Sequence, residues 1–227
     1  GGHSRTNHAE TTSLIPVVDG IGIEQIFSEL GASRIIQGGP NNSPTVNDIL
    51  VQIDSVSAEN VIVLPNDKNI ILAAQQASKL TNKFVEIIPT ETLQQGINCA
   101  LAFNNESDIK KNKKLMVNSM AEVISAEISR AYKTTKLQGV NVVAGEFVGI
   151  NDGQLITSAS TIDEVLGNLL NFKGNRDVEL VTLYYGRELS QKDSQAHYEL
   201  ISSRFENIEF ELIDGGQSYC IYMISLE

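Results

Sequence analysis

The segment Gln37–Leu50, QGGPNNSPTVNDIL, holds the residues best suited to gripping a small anion. Around Gly38 and Gly39, the amides of Asn41 and Asn42, the hydroxyls of Ser43 and Thr45 and the free N–H groups of a helix start could hold a carboxylate or phosphate. The same residues also serve simply to turn the chain and cap a helix, Pro44 being favoured in a first turn. A second polar loop carries Asn66, Asp67, Lys68 and Asn69, with Asp67 as the natural helix cap and Lys68 as its only cation. A third carries Gly215, Gly216 and Gln217 after Asp214, where a hairpin turn between two strands is the competing explanation.

Other chemistries find less support. Asp19-Gly20-Ile21-Gly22 follows a predicted strand and opens a helix, as a dinucleotide fingerprint does. Its third glycine would fall at Gln25, so tight-turn glycines account for it. No Walker A sequence and no Gly-x-Ser-x-Gly occurs. His3 and His8 lie in an aperiodic start and His197 on a predicted helix, which offers no convergent metal ligands. Cys99 and Cys220 sit far apart in apolar surroundings and read as two buried thiols in a reducing cytoplasm.

The elements that position the loops follow from apolar patterning. Leu14–Val18, Arg34–Ile36, Val61–Leu64 and Phe84–Ile88 read as short buried strands, separated by helices over 23–30, around Ile49, Leu50 and Ile53, and over 68–80 and 92–103. Strand, polar loop and helix in repetition predict an open parallel sheet covered on both faces, with the loops at the carboxyl ends of the strands, where such sheets bind ligands. Thr45-x-x-Asp48 resembles a capping box. After Asn104 the pattern changes. A lysine-rich helix over 109–123 is followed by β segments at 125–133, 141–144, 146–150 and 154–157, with 141–144 and 146–150 facing 154–157 across Asn151-Asp152-Gly153. A helix capped at Thr161, a strand over 179–184, a helix over 190–205 and strands over 208–213 and 219–226 complete the chain. The expected class is α/β, with a flexible segment at 1–12, a parallel α/β lobe at 13–108 and an α+β lobe with a mixed sheet at 109–227.

Composition bounds the partners. The chain has 227 residues, 41% of them apolar, enough for one large or two small domains. With 28 acidic and 17 basic residues the net charge is −11, which argues against nucleic acid. The one basic run, Lys110-Lys111-Asn112-Lys113-Lys114, reads as a solvated helix start or as an anion patch. No apolar stretch reaches the roughly 18 residues of a membrane span, and no signal peptide is recognisable.

Four segments, Gly38–Leu50, Val61–Ala74, Val181–Gly186 and Gly215–Gln217, together resemble the C-terminal region of the ATP-binding subunit of bacterial fatty acid kinase, of the dihydroxyacetone-kinase-like family. The resemblance runs in order over about 14–227. It departs at Pro40–Pro44, PNNSP, where the family more often has Gln-Thr-Met-Asn-Pro. It implies a two-lobed DegV-like fold and a cytoplasmic setting. It also implies a non-catalytic role, docking a DegV-like fatty-acid carrier beside a kinase domain outside this sequence. ATP and magnesium would belong to that domain, whose Asp-rich motif has no counterpart here, so no cofactor is expected in this chain. A homodimer through regions beyond this sequence is compatible with the resemblance. Direct binding of a fatty acid or small anion is the alternative, with the Asn41–Thr45 loop in the place where DegV-like proteins hold the acyl carboxylate.

Overall fold

A computed structural model describes residues 11–227, which fold as two units. The first contains β1 (Thr12–Val18), β2 (Ile36–Gln37), β3 (Asn60–Leu64) and β4 (Phe84–Ile87), with α2 (Val46–Ser55), α3 (Ile71–Leu80), α4 (Leu93–Ala102) and α5 (Ile109–Met120). All pairings are parallel, in the order β2-β1-β3-β4. Connections therefore leave β1 in opposite directions, which puts a switch point between β1 and β3. Successive side chains on a strand face opposite ways. Ile15, Val17, Val61 and Val63 pack with Ile49 and Ile53 of α2 and Ala74 and Ala77 of α3. The alternate residues Leu14, Ile62 and Leu64 are just as fully buried, and α4 and α5 lie against β1 and β3. Both faces of the sheet are covered, so its strands read as unbroken apolar runs.

The second unit takes Asp19–Ile26, the first part of α1 (Ile21–Glu29), together with Ala121–Glu227. It contains β5 (Ile124–Arg130), β6 (Thr135–Leu137), β7 (Val140–Val142), β8 (Phe147–Asn151), β9 (Gln154–Ala159), α6 (Ile162–Leu170), β10 (Leu180–Tyr185), α7 (Gln191–Arg204), β11 (Glu209–Asp214) and β12 (Tyr222–Leu226). Six strands form one mixed sheet, β11-β10-β12-β5-β8-β9, in which only β10 and β11 run parallel. Val165, Leu166 and Leu169 of α6 and Ile201 of α7 bury against Ile128, Val181, Leu183 and Ile224 of this sheet. The β8–β9 turn has Asp152 at φ 46 and Gly153 at φ 79, the two left-handed positions that a two-residue hairpin requires.

Several expectations need correction. Helix α5 belongs with the first unit, not the second, because it pairs with α4. Asn112 Nδ2 donates to the Asn104 carbonyl at 2.7 Å, and the Cys99 thiol to the Met116 carbonyl at 3.2 Å. Residues 141–144 do not face 154–157 in the main sheet; β7 pairs with β6 as a separate hairpin. Helix α3 starts at Ile71 rather than Lys68. Residues 1–10, including His3, His8 and most of the expected flexible segment, lie outside the described residues, and Thr12 already opens β1.

Candidate functional site

In the first unit the candidate residues sit in the loops after β2 and β3, at the carboxyl ends of the strands. The first loop is a closed turn. Gly39 N–H donates to the Asn42 carbonyl at 3.0 Å and Asn42 N–H to the Gly39 carbonyl at 3.1 Å, while Gly38 N–H reaches back to the Val18 carbonyl at 3.1 Å. A Cβ on Gly38 would fall 2.8 Å from Pro44 Cδ, so this position is restricted to glycine by packing. Thr45 Oγ1 accepts from Asp48 N–H at 3.0 Å and Asp48 Oδ2 accepts from Thr45 N–H at 2.9 Å, the reciprocal box that opens α2. These bonds, from the Thr45 backbone first and its hydroxyl second, hold the Asp48 carboxyl below its usual range. Asn41, Asn42 and Ser43 are left exposed. The N–H groups of Gly39, Asn42, Thr45 and Asp48 are thus engaged within the loop and its cap, and that of Gly38 by β1.

The second loop is centred on a buried asparagine. Asn66 is 6% exposed and adopts φ 58. Its Nδ2 donates to the Val17 carbonyl at 2.9 Å, and Thr90 Oγ1 accepts from its N–H at 2.9 Å. Asn66 Oδ1 has no hydrogen-bond partner among the described residues and faces Gly96 of α4, where a Cβ would lie only 2.0 Å from it. The side chain holds the end of β1 and the backbone N–H holds Thr90, just after β4, so the residue pins the fold at the switch point. Asp67 does not cap α3. It is buried, and its Oδ1 accepts from Asn69 N–H at 2.7 Å in an Asx turn, while the cap position falls to Ile70 with no side-chain bond. Lys68 and Asn69 point to solvent. A cleft of about 440 Å³ in this unit lies at the other end of the sheet, lined by Asn60, Phe84, Glu106, Ser107, Asp108, Ile109 and Lys110.

In the second unit, Asp214–Gln217 is not a hairpin turn, since β11 and β12 flank β10 on opposite sides. The loop instead crosses the end of β10, with Gly215 and Gly216 N–H groups both donating to the Tyr185 carbonyl, at 3.0 and 3.2 Å. Gln217 is 1% exposed and its Nε2 donates to the Tyr184 carbonyl at 2.7 Å. The Asp19–Gly22 segment locks onto this loop. Gly22 and Ile23 N–H groups, at the start of α1, both donate to the Gly215 carbonyl, at 3.0 and 3.2 Å. Ser218 donates to Asp19 Oδ2 from its N–H at 3.0 Å and from Oγ at 2.8 Å. A Cβ on Gly22 would fall 1.8 Å from the Asp214 carbonyl oxygen, and Gly20 carries φ 114. One glycine is needed for its turn, as its sequence indicates, and the other for close approach of two backbones, which the sequence does not reveal.

The reactive side chains are sequestered. Both cysteines are free and buried. Burial raises the Cys99 thiol to about 12, and burial followed by the Glu127 carboxylate raises Cys220 well above its ordinary value, so neither is a ready nucleophile. His197 Nδ1 lies 2.9 Å from Tyr222 Oη, with the two rings edge to face at 5.7 Å. Among the described residues no group of three or more His, Cys, Asp or Glu could hold a metal ion. No helix there is long and apolar enough to cross a membrane. Sequence reasoning missed Thr90, Gly96 and the Asp19–Ser218 contact. Thr90 had a local signal, since it follows the fourth parallel strand at the same end as the other loops.

Comparison with known proteins follows the same lines as this geometry. The family model for the C-terminal region of FakA-like fatty acid kinase proteins matches residues 13–227. Protein YloV of Bacillus subtilis (strain 168) is 33% identical over 214 residues, which is 94% of this chain and 39% of that protein. An uncharacterized protein of Staphylococcus aureus (strain USA300) is 30% identical over 216 residues, 95% of this chain and 39% of that protein. The chain therefore spans about two-fifths of the length of these relatives. Among solved structures, the DegV family protein Cg2579 from Corynebacterium glutamicum superposes with a TM-score of 0.65 at 11% identity, covering 96% of this chain and 97% of that one. The Streptococcus pneumoniae fatty acid kinase B3 protein loaded with linoleic acid gives 0.63 at 9% identity, covering 96% and 99%. The dihydroxyacetone kinase of C. freundii gives 0.59 at 11% identity, covering 98% of this chain and 49% of that one. At such identities the likeness is one of fold: an α/β, DegV-like arrangement of a parallel-sheet lobe and a mixed-sheet lobe. With its family pattern matched from residue 13 to residue 227, the chain belongs to the FakA-like C-terminal family of fatty acid kinase proteins.

Proposed function

We propose that this chain is the non-catalytic module of a two-component fatty acid kinase, and that it docks a DegV-like carrier loaded with fatty acid. A kinase domain outside these residues would then direct the acyl carboxylate onto the γ-phosphorus of ATP, with ADP leaving and acyl-phosphate forming. ATP and magnesium belong to that domain. The observation that carries this reading is the Gly215 carbonyl, which accepts from Gly22 and Ile23 N–H at the start of α1. The helix start most like a nucleotide site is thereby filled by the protein's own backbone. The closed Gly39–Asn42 turn and the Thr45–Asp48 box act in the same direction, leaving a scaffold that keeps the fold of an acyl carrier while its loops are bonded internally.

The test is titration calorimetry between this chain and an oleate-loaded DegV-like carrier from the same organism. Saturable binding supports the docking reading, and no binding overturns it. Mass spectrometry of lipid extracted from the purified chain addresses direct acyl binding. A stoichiometric fatty acid there would replace docking with a carrier role.

A further inference from the structure

Each of the two main sheets ends in two edge strands, and three of these four edges are guarded. An edge is kept from pairing with another chain by shortness, by charge or by a covering loop. β2 is only two residues long, and β11 carries Glu209, Glu211 and Asp214, all exposed. β9 is covered by the β6–β7 hairpin: Gln138 Oε1 accepts from Leu155 N–H at 3.0 Å, and Val142 packs with Leu155. Among the described residues β4, Phe84-Val85-Glu86-Ile87, has neither a cover on its edge nor a free charge. Its single acid, Glu86, pairs with Lys113 of α5 at 2.7 Å, and Lys83 before it donates to the Val56 and Ala58 carbonyls.

The free groups on that edge fit their own image. Phe84 N–H donates to the Glu59 carbonyl at 2.9 Å and Ile88 N–H to the Val63 carbonyl at 3.1 Å, so alternate residues of β4 face β3. Val85 and Ile87 therefore turn N–H and C=O away from β3, and these groups have no hydrogen-bond partner among the described residues. An antiparallel copy centred on Glu86 sets Val85 against Ile87 of the second chain, and Ile87 against its Val85. Both N–H groups and both carbonyls of each edge are then satisfied. Glu86 falls opposite Glu86, a like-charge pair that would oppose contact were each not neutralised by its own Lys113. Phe84, 50% exposed, adds apolar surface beside the seam. The same pairing of β11 would bring Glu209 and Glu211 to their image with no ion pair, among the described residues, to offset them.

We propose that β4 is a self-association edge, through which two copies of this chain join their parallel sheets about a two-fold axis at Glu86. The inference is independent of carrier docking. Strands this short cover far less than the roughly 1,200 Å² of a stable interface, so the dimer is weak, with a Kd above about 10 μM. Sedimentation velocity of the purified chain from about 5 to 500 μM should show a reversible monomer–dimer equilibrium. Val85→Pro removes an outward N–H and no bond to β3, a change that edge strands accept, and should weaken dimerisation at least about tenfold. Glu86→Cys places two thiols on a non-hydrogen-bonded pair, whose Cα atoms lie about 4.5 Å apart, within disulfide range. Mild oxidation should link this variant into a covalent dimer on a non-reducing gel. Lys68→Cys, exposed in the loop after β3, should link far more slowly, and the native thiols are buried. A chain that stays monomeric at about 500 μM overturns the proposal. So does a dimer that folded Val85→Pro leaves intact, or one in which Glu86→Cys links no faster than Lys68→Cys. If Val85→Pro fails to fold, the cross-link alone decides.

Discussion

Asn66 Nδ2 donates to the Val17 carbonyl at 2.9 Å and so bridges the ends of β3 and β1 across the point where the strand order reverses. The place where folds of this class usually receive a ligand is here crossed by a buried side chain. Replacement by alanine removes that bond and leaves a β-carbon at φ 58, where a left-handed backbone costs about 1–2 kcal/mol. Adding about 1–3 kcal/mol for buried groups left unpaired, Asn66→Ala should lose roughly 2–5 kcal/mol in urea denaturation. Asn66→Gly should lose about 1 kcal/mol less, because glycine tolerates the backbone. Equal losses would mean that the left-handed backbone contributes nothing.

Gly22 and Gly167 make opposite predictions from the same atom. A methyl group on Gly22 meets the Asp214 carbonyl at 1.8 Å, so Gly22→Ala must part the two backbones and should cost about 1–3 kcal/mol or more. Gly167 lies inside α6 with nothing within 4 Å of its would-be Cβ. Gly167→Ala should therefore raise stability by about 0.5–1 kcal/mol. Chemical denaturation of the two variants beside the parent chain checks both signs.

Thr45→Ala isolates the capping role of the first loop. Loss of the hydroxyl should cost about 1 kcal/mol, within the usual range for an N-cap. Ser43→Ala, at an exposed position without that bond, should be neutral. If Ser43→Ala is instead the costlier change, the loop holds something that its internal bonds do not explain.

Alkali should unmask the buried phenols and thiols only as the protein opens. Burial raises Cys99, Tyr184 and Tyr222 to about 12. In each case the folded state keeps a proton that the unfolded chain releases at about pH 9 to 10. Their contribution is complete below that range and is lost as pH climbs toward about 12, so stability should fall between about pH 9 and 12. At pH 8, a thiol-specific chromogenic disulfide should label native Cys99 and Cys220 slowly and the urea-unfolded chain at once. Rapid native labelling of either would contradict its burial.

Much of this arrangement was legible in local sequence. The Thr45–Asp48 box and the Asp152-Gly153 turn form as their residues dictate, because both are set by contacts three residues apart or fewer. The parallel strands β1 and β3 are recognisable because burial on both faces makes them continuously apolar. What escaped depended on partners distant in sequence. Asp214–Gln217 carries hairpin residues, yet serves a crossing, since nothing local tells Gly215 that β12 will pair on the far side of β10. A β segment at 141–144 was legible and β7 forms there, but its partner β6 in the hairpin was not. Thr135, Lys136 and Leu137 lack an apolar run, and their partners Val140 and Val142 pack on Leu155 and Val148, outside the hairpin. Asn66 read as a candidate ligand residue and is a pin, a distinction made by the carbonyl of Val17, 49 residues earlier.

The sheet order has a further consequence for how the molecule is made. In the second unit β12, last in chain order, lies between β10 and β5, and Ser218 in the loop before it bonds Asp19 across 199 residues. Vectorial synthesis therefore delivers the first unit's strands early, while the second unit waits for its central strand. A ribosome pausing before residue 222 would hold β5, β8 and β10 with two open edges between them. Non-local closure of this kind is slow, and the nascent chain would depend on chaperone cover during that interval.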